Sequence, residues 1–315
     1  MRLILGIDTS NYTTSAALID ADTGTLVSRA GRLLPVKEGE LGIRQSDAVF
    51  HHTAALPDIV SQVYKGVQGE TVAVAVSAKP SEQSGSYMPC FLAGVNAAAV
   101  SATALGAPLY TTSHQVGHVL ACLYGCGKLA QIQSDFICFH VSGGTTDALL
   151  VKPDVQKVVT IERIACSLDL KAGQAVDRIG SKMGLRFPAG KALEALALKS
   201  DKTYPQKAKL KGADCSLSGL QNLAEKRLCE GERKEDCARF ALDYIANTLK
   251  AMSEKLFETY TRLPLYFAGG VMSNSIIQNR ISKELGAFFC APEYATDNAV
   301  GIALYGYLQW NNLKN

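Results

Sequence analysis

Two histidines spaced four residues apart are the first feature of this sequence that could do chemistry. His114 and His118 lie in the segment SHQVGH, residues 113–118. On a helix this spacing places both imidazoles on one face, where they can share a metal ion. The alternative is two unrelated histidines on the flank of a helix. No glutamate follows the first histidine, so the H-E-x-x-H pattern of zinc peptidases is absent together with its general base.

Three loops of small and hydroxyl-bearing residues form the second feature. They span Asp8–Thr14, Ser142–Thr146 and Ala268–Asn274, and each follows an apolar, strand-like run. Glycines allow main-chain N–H groups to line an anion site, and a strand that leads into a helix can bring a nucleotide to the helix N-terminus. Each loop taken alone is equally consistent with a plain turn. The G-x-G-x-x-G fingerprint is not matched, so no Rossmann-type site is predicted.

Two carboxylates stand beside these features. Asp297, in the segment ATDNA, precedes a predicted final helix, where it is either a helix cap or a ligand. Asp177, in GQAVDR, lies in a helix-like stretch, where the alternative to a ligand is an exposed or ion-paired charge.

The elements that must position these residues repeat a single plan. The runs 2–8 and 14–20 predict two strands joined by a polar turn, and 136–141 and 147–151 predict the same arrangement again. Apolar spacing of three and four residues predicts the helices 47–64, 92–105, 115–124, 173–183, 191–197, 217–229, 236–259 and 274–285. Further strands are predicted at 72–76, 265–268 and 287–290. A duplicated α/β fold with two lobes explains the repetition.

Length and composition define the class of protein. With 315 residues and 47% hydrophobic residues, the chain is long enough for two core-forming lobes. No low-complexity linker separates the halves, so we expect the lobes to face each other across a central cleft that binds ligands. The expected division is 1–118 for the first lobe and 119–297 for the second, with the helix 298–315 packing back on the first.

Charge and cysteine usage exclude several classes of function. The 32 Lys and Arg residues against 29 Asp and Glu residues leave a net charge of +3, which does not by itself announce nucleic-acid binding. The basic stretches 199–211 and 226–234 are either phosphate contacts or solvated surface.

Nine cysteines without a C-x-x-C pair indicate neither a disulfide framework nor a zinc knuckle, so we expect a reducing, cytoplasmic compartment. The N-terminus is too weakly apolar for a signal peptide, and the uncharged stretch 83–127 contains no membrane span.

The order of the motifs resembles the TsaD family of tRNA threonylcarbamoyladenosine transferases, which have an actin-like, sugar-kinase-like ATPase fold with two RNase H-like lobes. The resemblance is carried by seven segments in the same order, namely LGIDTSNYTTSAAL, HQVGH, HVSGGTT, GQAVDRIGSKMGLRFPAG, CSLSGLQN, AGGVMSN and ATDNAVGIA. It covers the chain from Ile4 to about Tyr307.

The resemblance implies a metal site, a nucleotide site and a reaction. His114, His118 and Asp297 would bind one divalent metal, iron or zinc. An adenine nucleotide or threonylcarbamoyl-AMP would be held by Val141, Ser142, Gly143, Gly144, Thr145, Asp177, Gly190, Gly270 and Asn274. The implied reaction transfers threonylcarbamoyl to N6 of adenosine 37 in tRNA and releases AMP. The implied partners are tRNA, a TsaB-like paralogue and a TsaE-like ATPase, with no membrane involved; a homodimer is left open.

Several positions depart from the family pattern. Asn11-Tyr12-Thr13-Thr14 stands where the family has C-D-E-T, so the acidic pair of the first loop is missing. The candidates for catalytic groups in this loop are Asp8, Tyr12 and Thr13. Thr145 replaces the histidine of V-S-G-G-H-T, Gln174 replaces a glutamate, and 77–82 (SAKPSE) replaces the T-x-G-P-G-L segment. These departures keep two alternatives open: a paralogue that carbamoylates a non-tRNA acceptor, and a nucleotide-binding subunit without turnover.

Overall fold

The computed structural model describes residues 1–10, 12–35, 43–295 and 298–312. The chain divides into two compact units. Unit 1 comprises Met1–Gln133, Lys152–Ile161 and Thr296–Asn315, and unit 2 comprises Ser134–Val151 and Glu162–Ala295. Each unit is built around its own five-stranded sheet.

Twelve strands occur among the described residues. In chain order they are β1 (Arg2–Ser10), β2 (Thr13–Asp20), β3 (Leu26–Leu33), β4 (Glu70–Lys79), β5 (Leu109–Ser113), β6 (Phe136–Val141), β7 (Thr146–Asp154), β8 (Val158–Cys166), β9 (Leu210–Lys211), β10 (Asp214–Cys215), β11 (Leu265–Ala268) and β12 (Phe288–Phe289).

Nine α-helices and two 3-10 turns complete the described part of the chain. The helices are α1 (Gln45–Tyr64), α2 (Phe91–Leu105), α3 (His114–Gly125), α4 (Ala172–Lys182), α5 (Gly190–Ala197), α6 (Ser218–Cys229), α7 (Lys234–Phe257), α8 (Ser275–Leu285) and α9 (Ala299–Asn312). The 3-10 turns are Leu129–Gln133 and Gly270–Ser273. All eight helices predicted from apolar spacing are confirmed, with ends displaced by at most two residues.

The sheet of unit 1 has the order β3-β2-β1-β4-β5. Strands β1, β2 and β3 pair antiparallel, whereas β4 pairs parallel with both β1 and β5. Leu3, Leu5 and Ile7 of β1 join one apolar cluster with α1 and α2. Gly6 faces the other way, where a side chain would collide with the backbone of Ala303 in α9. Because helices cover both faces, β1 is a nearly continuous apolar run.

The sheet of unit 2 repeats this arrangement, with the order β12-β11-β6-β7-β8. Its first strand, β6, pairs antiparallel with β7 and parallel with β11, as β1 pairs with β2 and β4. The rings of Phe139, Phe267 and Phe289 stack across β6, β11 and β12 with centroids 4.8 and 5.0 Å apart. The predicted α/β class and its repeated strand–turn–strand plan are therefore confirmed.

No helix among the described residues combines the length and the apolar character that a membrane crossing needs.

Candidate functional site

A close crossing of two helices builds the first site, in unit 1. Gly117 lies on α3 between the two histidines, and a Cβ added to Gly301 of α9 would collide with the Gly117 carbonyl oxygen. Two glycines at the crossing point allow the backbones to approach this closely. Asn298 lies one turn before Gly301, and its carbonyl accepts the first hydrogen bond of α9 from Ile302 at 2.9 Å. The crossing therefore places Asn298 against the face of α3 that carries the two histidines.

The two imidazoles face each other across this crossing. Their ring centroids are 4.5 Å apart at an interplanar angle of 71°. The Nδ2 atom of Asn298 lies 3.2 Å from Nε2 of His114 and 3.1 Å from Nε2 of His118, and also 3.0 Å from Nδ1 of His114. An amide NH2 group only donates, so the contact assigns an acceptor role to Nε2 of His118, but it does not choose between the two nitrogens of His114. The Nε2 atoms of both histidines thus lie within 3.2 Å of one atom.

Asp8 completes the hydrogen-bonding around His114. Its carboxylate is 1% exposed and accepts hydrogen bonds from the hydroxyls of Ser10 and Ser77 and from Nδ1 of His114, the last at 3.2 Å. Burial raises the pKa of Asp8. The electrostatic interaction with His114 and the hydrogen bonds from His114, Ser10 and Ser77 outweigh burial and hold the pKa below its ordinary value of 3.8.

The donor set of this site fits a transition-metal ion. Imidazole nitrogens are ligands that zinc, iron and copper use in proteins, and two of them lie close together here. The Oδ1 atom of Asn298 is buried and has no hydrogen-bond partner among the described residues. The third predicted ligand, Asp297, lies outside the described residues. Within the described ranges, no group of three His, Cys, Asp or Glu side chains is arranged to hold a metal. His114 and His118 therefore offer two nitrogens to a metal, with the Asn298 amide nitrogen lying beside both of them in this structure.

The other candidates of the first loop lie at the turn between β1 and β2. Thr13 pairs with Ser10 in the register of the two strands, and Tyr12 is 38% exposed. The Tyr12 carbonyl accepts a hydrogen bond from the amide of Leu34 at 2.8 Å. Asn11 lies outside the described residues. The loop thus presents a phenol and a hydroxyl, and the buried carboxylate of Asp8 is directed to His114.

The second site lies in unit 2, at the turn between β6 and β7. The Ser142 hydroxyl accepts from the amides of Gly144 at 3.3 Å and Thr145 at 3.2 Å, and lies 2.7 Å from the Thr145 hydroxyl. Gly143 and Gly144 are exposed, and a Cβ on either would meet no atom of the described residues within 4 Å. The Thr145 hydroxyl lies 3.2 Å from Nδ1 of His140. The outer side of this turn is therefore open backbone.

The inner side of the same turn packs on two further segments. A Cβ on Gly173, in the first turn of α4, would lie 2.7 Å from Cα of Gly143, and the Gly173 amide donates to the Ser142 carbonyl at 3.1 Å. Gly269 has a φ of 98°, and a side chain there would collide with the Val141 carbonyl oxygen. Glycine is required at both contacts, because the backbones touch directly.

A hydrogen bond joins Asp177, on α4, to the residue that directly precedes Gly190. Oδ1 of Asp177 accepts from the Ala189 amide at 2.8 Å, directly before α5 begins at Gly190. Burial raises the pKa of Asp177 above 3.8, and the Ala189 N–H opposes this shift. One oxygen of the carboxylate thus holds the start of α5, and the other accepts no hydrogen bond from the described part of the chain.

Asn274 and Gly270 lie in the segment directly before α8. The Asn274 side chain caps α8 by accepting from the amides of Ile276 and Ile277, each at 3.1 Å, so its Nδ2 group remains a donor. Gly270 opens the 3-10 turn that precedes this cap. Glu194 of α5 accepts from the Ser275 amide at 2.7 Å and ties α8 to α5.

Sequence reasoning missed several residues of both sites. In unit 1 these are Ser77 and Asn298; in unit 2 they are Glu194 and Asp169, which accepts from the Leu217 amide at 2.7 Å in front of α6. Asn298 follows Asp297 inside the quoted ATDNA motif, so its position was a usable signal. The others carry no local pattern, because each acts on a residue distant in the chain.

Comparison with known proteins identifies relatives of the whole chain. The family model of TsaD, tRNA N6-adenosine threonylcarbamoyltransferase, matches residues 36–304. A tRNA N6-adenosine threonylcarbamoyltransferase of Archaeoglobus fulgidus is 28% identical over 98% of this chain and 92% of its own length. Another from Caulobacter vibrioides is 30% identical over 96% of this chain and 86% of its own length.

Solved structures match the fold. The (R)-2-hydroxyglutaryl-CoA dehydratase component A of Acidaminococcus fermentans superposes with a TM-score of 0.56 and 15% identity, over 99% of this chain and 100% of its own. At this identity the likeness shows the fold alone, which is the α/β fold of the actin-like and sugar-kinase-like ATPases. The length of the family match, together with relatives that align over almost the entire chain, shows that this protein belongs to the TsaD family.

Proposed function

We propose that this protein transfers the threonylcarbamoyl group of threonylcarbamoyl-AMP to N6 of adenosine 37 in tRNA. The observation that carries the proposal is the convergence of the Nε2 atoms of His114 and His118 on one point, in a chain of the TsaD family. The proposed compartment is the cytoplasm, where the chain would meet tRNA.

In unit 1, His114 and His118 would hold a divalent metal, iron or zinc, with Asp297 as the proposed third ligand. A metal bound there would supply Lewis-acid polarisation of a carbonyl group. The chain's own contribution is the placement of both nitrogens by the Gly117–Gly301 crossing and the fixation of His114 by Asp8.

In unit 2, the described contacts suit an adenylate. The open glycine backbone of 143–144 can approach a phosphate, since no side chain blocks it. The second carboxylate oxygen of Asp177 would accept from ribose hydroxyls, and Nδ2 of Asn274 would donate to the nucleotide. Val141, Thr145, Gly190 and Gly270 would shape the same surface.

The reaction is an acyl transfer. The N6 amine attacks the carbamoyl carbon, the bond from that carbon to the phosphate oxygen breaks, and AMP leaves with the electron pair while the amine loses a proton. Positioning and stabilisation of developing charge are what such a step requires. Asp8 is buried and already accepts three hydrogen bonds, so Tyr12 and Thr13 are the remaining first-loop candidates to assist the proton transfer.

A second function is favoured by a specific observation on the first loop. The exposed turn carries a phenol and a hydroxyl at Tyr12 and Thr13, with no carboxylate at either position. General-base capacity near neutral pH is correspondingly reduced. A family member that carbamoylates an acceptor other than tRNA would tolerate this change and keep both the histidine pair and the adenylate surface.

The test is an assay of AMP release from threonylcarbamoyl-AMP by purified protein of known metal content. It is run with and without unmodified tRNA, and with and without a TsaB-like paralogue and a TsaE-like ATPase. Release coupled to modified tRNA is the expected result. Release without tRNA modification would favour the other acceptor. Tight nucleotide binding without release under every condition would overturn both and indicate a nucleotide-binding subunit.

A further inference from the structure

Asp8 is a buried carboxylate that belongs neither to the proposed metal ligands nor to the proposed adenylate surface. It lies on β1, two residues before the end of the strand, and is 1% exposed. A buried charge is costly unless several hydrogen bonds satisfy it. Asp8 has three such bonds, and they come from three different elements.

The donors hold the carboxylate at both oxygens. Ser10, on the same strand, donates to Oδ2, and Ser77, on the adjacent strand β4, donates to Oδ1. Oδ1 also lies 3.2 Å from Nδ1 of His114, at the first residue of α3. The residue separations are 69 from Asp8 to Ser77 and 106 from Asp8 to His114. Two of the three hydrogen bonds to the carboxylate therefore come from the sheet and the third comes from α3.

The direction of the hydrogen bond to His114 follows from this environment. A carboxylate that accepts from two serines has no proton to give, so the imidazole must donate from Nδ1. A neutral imidazole that donates from Nδ1 carries its lone pair on Nε2. The Asn298 amide nitrogen lies 3.0 Å from Nδ1 and 3.2 Å from Nε2 of His114, so it does not distinguish the two tautomers. The contact with the Asp8 carboxylate, which only accepts, assigns the Nδ1–H form.

We propose that Asp8 is a positioning residue that holds His114 in the Nδ1–H tautomer, with its Nε2 lone pair directed at the point shared with His118. This inference rests on the proposed metal site and adds an outer carboxylate to it. Carboxylates in this position fix the ring orientation and raise the basicity of the ligating nitrogen, and their loss costs roughly 10- to 100-fold in metal affinity.

The experiment measures metal affinity and tautomer separately from turnover. Asp8→Asn removes the charge at nearly constant shape, and Asp8→Ala removes the acceptor altogether. Competitive titration with Zn²⁺ or Co²⁺ is expected to show affinity reduced about 10-fold for Asp8→Asn and about 100-fold for Asp8→Ala. If Asp8→Ala fails to fold, as judged by circular dichroism, Asp8→Asn decides alone.

Ser10→Ala is the matched control. It removes a buried donor from the same carboxylate, but from the oxygen that does not contact His114. Its loss of stability should resemble that of Asp8→Asn, whereas its metal affinity should stay within a few-fold of the wild type.

Nitrogen-15 NMR of the His114 ring in metal-free protein supplies the direct readout. The expected spectrum has a protonated Nδ1 and an unprotonated Nε2. An Nε2–H tautomer, or wild-type metal affinity in both Asp8 variants, would overturn the role of Asp8. Wild-type metal content in His114→Ala would instead refute the metal site of the proposed function, so the two failures are distinguishable.

Discussion

The crossing of α3 and α9 makes a strong prediction, because two glycines carry the contact. In Gly301→Ala, the new methyl group would overlap the carbonyl oxygen of Gly117, whereas carbon–oxygen contacts in proteins rarely fall below about 3.3 Å. The obstacle is backbone, so no side chain can turn away. The helices must separate, and Asn298 must move away from His114 and His118.

The expected magnitude follows from two opposing effects. Overpacking costs typically about 1–3 kcal/mol, and a collision with backbone belongs at the upper end of this range. Alanine in place of glycine in a helix regains up to about 1 kcal/mol. The net loss in free energy of unfolding is about 2 kcal/mol, which lowers Tm by about 4–8 °C at the 2–4 °C per kcal/mol typical of a unit this size.

Differential scanning calorimetry and metal titration of the same samples test this reasoning. Gly219→Ala in α6 is the matched control, since its Cβ would meet only the Tyr244 hydroxyl at 3.8 Å and should leave stability unchanged or slightly higher. Gly301→Ala should also bind Zn²⁺ more weakly, and Gly219→Ala should not. A Gly301→Ala protein that melts and binds metal like the wild type would refute the claim that this crossing builds the site.

Three further predictions concern single side chains. His114→Ala should lose the bound metal, as measured by elemental analysis after dialysis; undiminished metal content would contradict the assignment. Asp177→Asn should weaken adenine nucleotide binding about 10-fold in calorimetry, because a hydrogen bond to a charged acceptor contributes about 1.5–3 kcal/mol. Burial raises the pKa of Asp177, so its carboxylate becomes protonated at a higher pH than an ordinary aspartate with a pKa of 3.8. As the pH is lowered, wild-type nucleotide affinity should therefore begin to fall at a higher pH than an ordinary aspartate would give. Asp177→Asn should not show this pH dependence. Asp169→Ala should destabilise by about 1 kcal/mol at pH 7, as the loss of a helix cap does. Burial raises the pKa of Asp169, but hydrogen bonds from the Ser218 hydroxyl and from the Leu217 and Leu170 amides hold it below 3.8. Its contribution is therefore present above pH 3.8 and lost as the pH falls through the lower folded pKa, so urea unfolding should show the variant and the wild type converging as the pH falls below 3.8.

Much of the fold was predictable from local pattern. The helices and the strands β1, β2, β4, β6, β7, β11 and β12 were predicted from runs visible in their own sequences. The strands β3, β5 and β8 and the two-residue strands β9 and β10 were not predicted. Of these, β3, β5 and β8 lie at sheet edges, and β3 is half-exposed along its length, so its sequence LVSRAGRL shows no clean alternation. Position at an edge does not decide the outcome by itself, because β12 is also an edge strand and was predicted at 287–290.

The candidate site residues also divide into those that have a local sequence signature and those that do not. The sequence by itself determined the histidine spacing, the glycine-bearing loops and the family resemblance, since all of these are short segments with a local signature. Only the tertiary structure decided which of the carboxylates reaches an imidazole. Asp8, Ser77, His114 and Asn298 are joined by contacts across 69 to 184 residues, and such contacts depend on how β1, β4, α3 and α9 pack. The Gly117–Gly301 contact is of the same kind: neither glycine is unusual in its helix, and the contact exists because the two backbones meet there.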